Sequence, residues 1–254
     1  MPHLVSLARQ YTSWGLRIIG NHVQRATDQE ILRFCKLNRL NYTVVKFAHI
    51  EGDRSRGIPR MFIFDHTGKC VWQGHPAASA KPLKDILDKA PHPLLVGLKL
   101  NKLTAVNTAL KKGYSLGRIL KQLKLKAKGN DPEAAAEARE IIQRLTKHGD
   151  SLLKKAEALR EDGPYECYTL LEEIKKKFLG TEFSKKASKL LSELKRDREF
   201  MKEYQAGKLF AAIRTYADQL KPVGTGSINL NDPACYKLNR KIARKILAAA
   251  SLLK

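Results

Sequence analysis

Apolar positions along the first ninety residues switch between two periods. In "HLVSLARQYTSWG" Leu4, Leu7 and Tyr11 recur at helical spacing and Gly15 ends the run, so a helix is predicted there. The branched apolar residues of "LRIIGNHV" predict a short buried strand. A second helix is predicted over "TDQEILRFCKLNRL", where Thr27 and Glu30 have capping-box spacing and Ile31, Phe34 and Cys35 share a face. "YTVVKF" predicts a further strand, followed by a loop from Glu51 to Arg56. The run Met61-Phe62-Ile63-Phe64, the turn Asp65-His66-Thr67-Gly68 and the return Cys70-Val71-Trp72 predict a hairpin with Pro59 at its mouth. "KPLKDILDKA" closes the series as a helix before Pro91-His92-Pro93. Helix, strand, helix, strand, hairpin, helix is the order of an α/β layer structure.

From about residue 99 only the helical period remains. Asp131-Pro132 predicts the start of a helix running through Ile141, Ile142 and Leu145, with Gly149 or Asp150 punctuating it. "SLLKKAEAL", "YECYTLLEEIKKKF" and "FSKKASKLLSELK" then carry the stripes Leu152/Ala156/Leu159, Leu171/Ile174/Phe178 and Phe183/Ala187/Leu190/Leu194. Gly163-Pro164 starts one helix, and Gly180-Thr181 ends one and caps the next, which predicts antiparallel hairpins. "REFMKEYQAGKLFAAIRTYADQL" continues the pattern, a loop spans Pro222 to Gly226, and "CYKLNRKIARKILAAASLL" is the last helix. The expected organisation is an α/β domain over 1–90, a linker and basic helix over 91–132, and an all-α helical-hairpin domain over 133–254.

Composition changes this picture in its charge. The chain has 254 residues, a hydrophobic fraction of 43%, ample for a core, and a formal net charge of +23. Residues 1–98 hold 14 Lys and Arg against 7 acids, and residues 99–254 hold 34 against 18, so the excess is spread over both halves. The densest run, "KKGYSLGRILKQLKLKAKG" over 111–129, has seven basic residues and no acid. On a helix Leu116, Ile119, Leu120 and Leu123 form one stripe, and Lys112, Arg118, Lys121, Lys124, Lys126 and Lys128 spread around the remainder. Such a face suits phosphates or an anionic membrane surface, and equally a solvated exterior; because no recognition motif or aromatic platform accompanies it, nucleic acid is not an expected partner.

Candidate chemistry is sparse. Cys35, Cys70, Cys167 and Cys235 lie 35, 97 and 68 positions apart, which fits neither a zinc pair nor a redox pair, so buried, inert thiols are expected. His22, His66 and His75 have no metal-ligand spacing and are expected at the surface or in turns. The longest apolar runs, such as Ile246 to Leu253, are far shorter than the roughly 18 residues of a membrane span, and Met1-Pro2-His3 opens no signal-like segment, so the chain reads as soluble and without an address.

Residues 1–90 resemble the thioredoxin-like superfamily, specifically the bacterial TlpA-type and peroxiredoxin-like thiol-disulfide oxidoreductases, or redoxins. The resemblance rests on Met1-Pro2-His3-Leu4 followed by a helix, on "GLRIIGNHV", on Gly57-Ile58-Pro59 before Met61 to Phe64, and on Asp65 to Gly68 leading to "KCVWQGHP". It covers about a third of the chain. It implies a partial thioredoxin-like α/β/α domain, a cis proline at Pro59, and substrate polypeptide pairing with the backbone at Ile58 and Pro59. A tight turn entering a strand is the plain alternative for that loop. The family's W-C-x-x-C would lie just upstream of Met1, so the resemblance also implies that the chain is the truncated, downstream part of a longer protein. It implies too that a central strand is missing between those matching Leu16–Val23 and Met61–Phe64. The second half resembles, more loosely, helical extensions of such proteins and repeat-like hairpins of tetratricopeptide type, carried by "LLEEIKKKFLGTEFSKKASKLLSEL"; no complete repeat recurs.

A thioredoxin-type reductase needs a thiolate of lowered pKa at a helix start and a resolving cysteine within a turn. This chain supplies no such pair: Cys35 lies within a helix that the family places away from its active site, and a buried structural role is expected for Cys70. The expected function is therefore that of a thiol-disulfide oxidoreductase family member, catalytically silent as written, with protein thiols and disulfides as the family's partners. Ile58 and Pro59 are its substrate-binding candidates; no catalytic residue, cofactor or metal ligand is expected. Family members are often exported. The alternative is a basic, non-enzymatic binding or scaffold protein using the helical half, including Lys111 to Lys128, on a polyanion or a protein partner.

Overall fold

The computed structural model describes residues 2–51, 53, 57–217, 219–220 and 236–253, and the chain divides into two units, Met1–Gly113 and Tyr114–Lys254. In the first, helix α1 (Pro2–Tyr11) tightens into a 3-10 turn, Thr12–Trp14, and stops at Gly15, whose φ of 100° is left-handed and suits glycine. Strand β1 (Ile19–His22) pairs in parallel with β2 (Thr43–Lys46), Ile19 opposite Thr43 and His22 opposite Lys46. Their crossover is helix α2 (Asp28–Leu37). Its capping box forms as read from the sequence: the Thr27 amide donates to Glu30 Oε2 at 2.7 Å, and the Glu30 amide donates to Thr27 Oγ1 at 3.3 Å.

Strands β3 (Met61–Phe64) and β4 (Cys70–Gly74) form the expected antiparallel hairpin. Its turn is closed by the Asp65 carboxylate, which accepts from the amides of Thr67 at 2.8 Å and Lys69 at 3.1 Å, and by Gly68 at φ 86°. These donors hold the Asp65 carboxyl below its ordinary pKa, the Thr67 hydroxyl and amide foremost. Helix α3 (Ala80–Lys89), a 3-10 turn at Pro93–Leu95 and helix α4 (Ala105–Lys111) complete the unit. Its core joins Tyr11, Ile63, Leu83 and Leu87, with Trp14 and Trp72 packed alongside, so α1, the hairpin and α3 make the buried layer.

The parallel pair departs from expectation. β1 is not buried: Ile19 is 66% exposed, its side chain meeting no covering layer among the described residues. Helix α2 likewise buries none of its residues, and Phe34 of its apolar face is 46% exposed. Among the described residues the two strand pairs remain separate sheets, β1 with β2 and β3 with β4.

The second unit is helical: α5 (Leu116–Lys126), α6 (Pro132–Ala158), α7 (Pro164–Lys177), α8 (Glu182–Leu194), α9 (Arg198–Ala217) and α10 (Tyr236–Ala250). α5 packs on α6, α6 on α7, α7 on α8 and α9, and α9 on α10. Most stripe residues form the core, Ile119, Leu123, Ile141, Leu171, Ile174 and Phe178 being nearly or wholly removed from solvent, while Leu153 and Leu191 are buried where Leu152 and Leu190 were expected. Asp131 caps α6 by accepting from the amides of Glu133 and Ala134.

Two punctuation marks act differently from their sequence reading. Gly149 does not break α6, which runs unbroken for 27 residues; a β-carbon there would meet the Phe183 ring at 2.8 Å, so this glycine admits α8 at close range. Thr181 stands at the N-cap of α8, yet its hydroxyl donates back to Phe178 O at 2.7 Å and makes no cap bond; Gly180, at φ 80°, makes the reversal. The predicted loop at Pro222–Gly226 lies outside the described residues. The protein thus combines a small mixed α/β part with a predominantly helical one, and among the described residues no helix is long and apolar enough to cross a membrane.

Candidate functional site

The Gly57-Ile58-Pro59 segment is held out from a fixed base. Immediately downstream, Met61 packs against the core and Ile63, 6% exposed, belongs to it, so the entry to β3 is anchored. Upstream, Gly57 takes φ 99°, with no atom of the described residues beyond its chain neighbours within 4 Å of the place a β-carbon would occupy, and the chain turns sharply into a cis Ile58–Pro59 peptide. Ile58 is 60% exposed, Pro59 is also exposed, and among the described residues Ile58 makes no hydrogen bond. At the shoulder of the loop the Arg60 guanidinium stands 3.4 Å from Asp53 Oδ1 and 5.3 Å from the centre of the Phe62 ring. The outcome is an exposed Ile58 whose backbone amide and carbonyl have no hydrogen-bond partner among the described residues. An extended peptide can pair with such a group in the manner of an added strand.

The cysteines do not converge on this loop as a redox pair. Cys35 is half-buried on α2, Cys70 is exposed on β4, and Cys167 is buried on α7; all three are free, and Cys235 lies outside the described residues. Burial pushes the Cys167 thiol pKa up despite the opposing influence of Arg160, which suits an inert packing group. The expectation of a buried Cys70 is overturned. Ile63 pairs with Trp72 but Phe64 pairs with Cys70, leaving Val71 as an extra residue; this bulge turns Cys70 outward, where its sulfur lies 3.6 Å from Trp72 O. For Cys35 too, full burial was expected and half-burial is found, since α2 lacks a covering layer.

Histidines serve the backbone. His75 Nδ1 accepts from the Ala77 amide at 3.2 Å and His92 Nδ1 from the Leu94 amide at 3.3 Å, each at the start of a 3-10 turn. Among the described residues no three His, Cys, Asp or Glu side chains gather as a metal site would require.

The basic run over 111–129 does not act as one face. Lys111 is only 9% exposed; its ammonium donates to Leu87 O at 2.6 Å and Asp88 O at 3.0 Å, satisfying the end of α3, and lies 5.4 Å from the Trp14 ring centre. Burial lowers its pKa, against the pull of Asp88. Arg118, Lys121 and Lys124 are on α5 in the other unit, on the side opposite its buried leucines. A denser cationic face, on α10, escapes a search for long uninterrupted runs. Lys237, Arg240, Lys241, Arg244 and Lys245 recur at i, i+3, i+4, i+7 and i+8, a spacing legible in the sequence, and all five are exposed.

Comparison of the chain with protein-family models, with curated proteins and with solved structures finds no match in any of the three.

Proposed function

We propose that residues 1–90 are a thioredoxin-like module that binds extended polypeptide along the Ile58–Pro59 loop and, lacking a vicinal dithiol, holds it without exchanging disulfides. The observation that carries this reading is the exposed Ile58, without a hydrogen bond among the described residues, immediately ahead of an anchored hairpin. Support comes also from strand pairing: among the described residues β1 pairs with β2 alone and β3 with β4 alone, as expected if the strand that the thioredoxin resemblance puts between β1 and β3 were absent. In this reading the helical unit, whose core is closed, is an interaction domain attached to the module.

The chemistry follows from the residues. A backbone amide and carbonyl give register and affinity to a peptide without selecting its sequence, and the Ile58 side chain adds apolar contact. Disulfide reduction would require a thiolate, a disulfide to attack and a second thiol to resolve the mixed disulfide. The chain contains no C-x-x-C. Dithiothreitol-coupled insulin reduction tests this: turbidity should develop at the rate of dithiothreitol alone. Acceleration that disappears on Cys35→Ser or Cys70→Ser replacement would overturn the silent reading.

A further inference from the structure

We propose that α10 is a binding strip for the phosphate backbone of nucleic acid. Its first three turns carry five cations and no acid. The five charges climb one side of the helix over about 12 Å at the 1.5 Å rise per residue, with a cation or a cation pair about once per turn. The opposite side is occupied: Asn239 and Ile242 are buried, and α10 packs on α9. The strip is therefore a fixed ridge backed by a packed helix.

Its cations are also uncommitted to acids. Among the described residues no ion pair involves α10, whereas elsewhere in the unit Lys177 pairs with Glu173, Lys185 with Glu182 and Arg160 with Asp197. Two α10 cations lie instead over aromatic rings, Arg240 at 4.5 Å from the centre of Tyr236 and Lys245 at 5.4 Å from that of Tyr216, which steadies them without neutralising them. Five un-neutralised charges in a row cost self-repulsion, which an anionic polymer relieves by releasing its own counterions.

A membrane surface is the less suitable partner. An interfacial helix sinks its apolar side about 5–10 Å into the headgroup region. In α10 Ile242 is buried and the helix packs on α9, so although Leu238 and Leu247 are exposed, sinking the whole apolar side would require unpacking the pair. A polyphosphate chain needs only the ridge. Base-specific recognition is not part of the proposal, because no side chain set for reading base edges accompanies the charges.

The test titrates the full chain against a fluorescein-labelled DNA duplex of mixed sequence. If about five phosphates are neutralised, affinity should fall by a few hundred-fold between about 50 and 200 mM salt, a log–log slope near −4.5. Replacing all five α10 cations by Gln should cost at least about tenfold in affinity at the lower salt and flatten the slope by about four. A charge-matched control replaces Arg118, Lys121, Lys124, Lys126 and Lys128 by Gln and should stay within about threefold of the parent, with an unchanged slope. Circular dichroism checks that helix content is kept; should the fivefold variant unfold, the pair Lys237→Gln/Lys241→Gln decides, with an expected flattening of about two. Equal losses in the two matched variants, no duplex binding at the lower salt, or binding to phosphatidylserine-containing vesicles in place of the duplex would each overturn the proposal.

Discussion

The two units solve the same problem of burial in opposite ways. In the helical unit the stripes of α5 to α8 meet one another, so Ile141, Leu145, Ile174 and Phe178 lose all contact with solvent, while α9 and α10 still expose Phe210 and Leu247. In the α/β unit α1, the hairpin and α3 share a core, while α2 and the β1–β2 pair keep apolar side chains in solvent, Ile19, Leu32 and Phe34 among them. A helix satisfies its own backbone and needs a partner only for one stripe; a strand needs partners on both edges as well as on its faces. Two strand pairs that do not join therefore leave the first unit less closed, and the proposed polypeptide binding resides at the exposed Ile58–Pro59 loop leading into one of them.

The tryptophans make this contrast measurable. Both, Trp14 and Trp72, lie in the first unit, so their fluorescence follows that unit's unfolding while far-ultraviolet circular dichroism is weighted towards the helices. The largest expected effect is that of Phe178→Ala, which empties a fully buried site and should cost about 3–5 kcal/mol in the circular dichroism transition on urea unfolding. The tryptophan transition should hold its place; a shift in both by the same amount would erase the distinction between two separately closed cores. The reverse experiment is Lys111→Met. It strips the α3 end of its ammonium donor and leaves Leu87 O and Asp88 O short of a partner, an expected loss of about 1–3 kcal/mol in the tryptophan-monitored transition.

A smaller effect separates the units by pH. His148, on α6 in the helical unit, is half-buried near Phe178, and burial, reinforced by Lys177, holds its pKa below the ordinary histidine value although Glu173 pulls the other way. The unfolded chain then takes up the proton first. The associated stability is present above about pH 6.5 and is lost as pH falls through the folded-state value. His148→Gln should remove that part of the pH dependence of the helical transition; an unchanged profile would show that His148 does not set it. Smallest of all is Phe34→Ser on α2, expected within about 0.5 kcal/mol of the parent in urea because the ring is already largely in solvent. A loss several times larger would mean that α2 has a partner that buries its face.

How much of this was legible in the sequence depended on whether the cause was local. The Thr27–Glu30 capping box, the Asp65–Gly68 turn and the Leu116/Ile119/Leu120/Leu123 stripe are each specified by residues within one or two turns of chain, and each forms as read. Gly149 was misread because its role is set by Phe183, which is 34 positions away in sequence; the same glycine serves as readily for a close approach as for a break. Cys70 was misread because one bulged residue reverses which side a strand position faces. Lys111 counted as surface charge until the carbonyl ends of α3 gave its ammonium an interior partner. The Ile58–Pro59 loop was singled out through resemblance alone; its exposure and lack of hydrogen bonds are properties of the folded chain. The α10 strip was present as spacing all along, masked by a longer basic run elsewhere.

Polypeptide binding at Ile58 and Pro59 is tested by an NMR titration of the chain with an unfolded polypeptide whose cysteines have been carboxymethylated. With no thiol or disulfide available on the ligand, the account predicts saturable amide shifts concentrated at residues 57–64 and abolished by Ile58→Glu, a substitution at an exposed position. Shifts absent from that segment, or unaffected by Ile58→Glu, would contradict it.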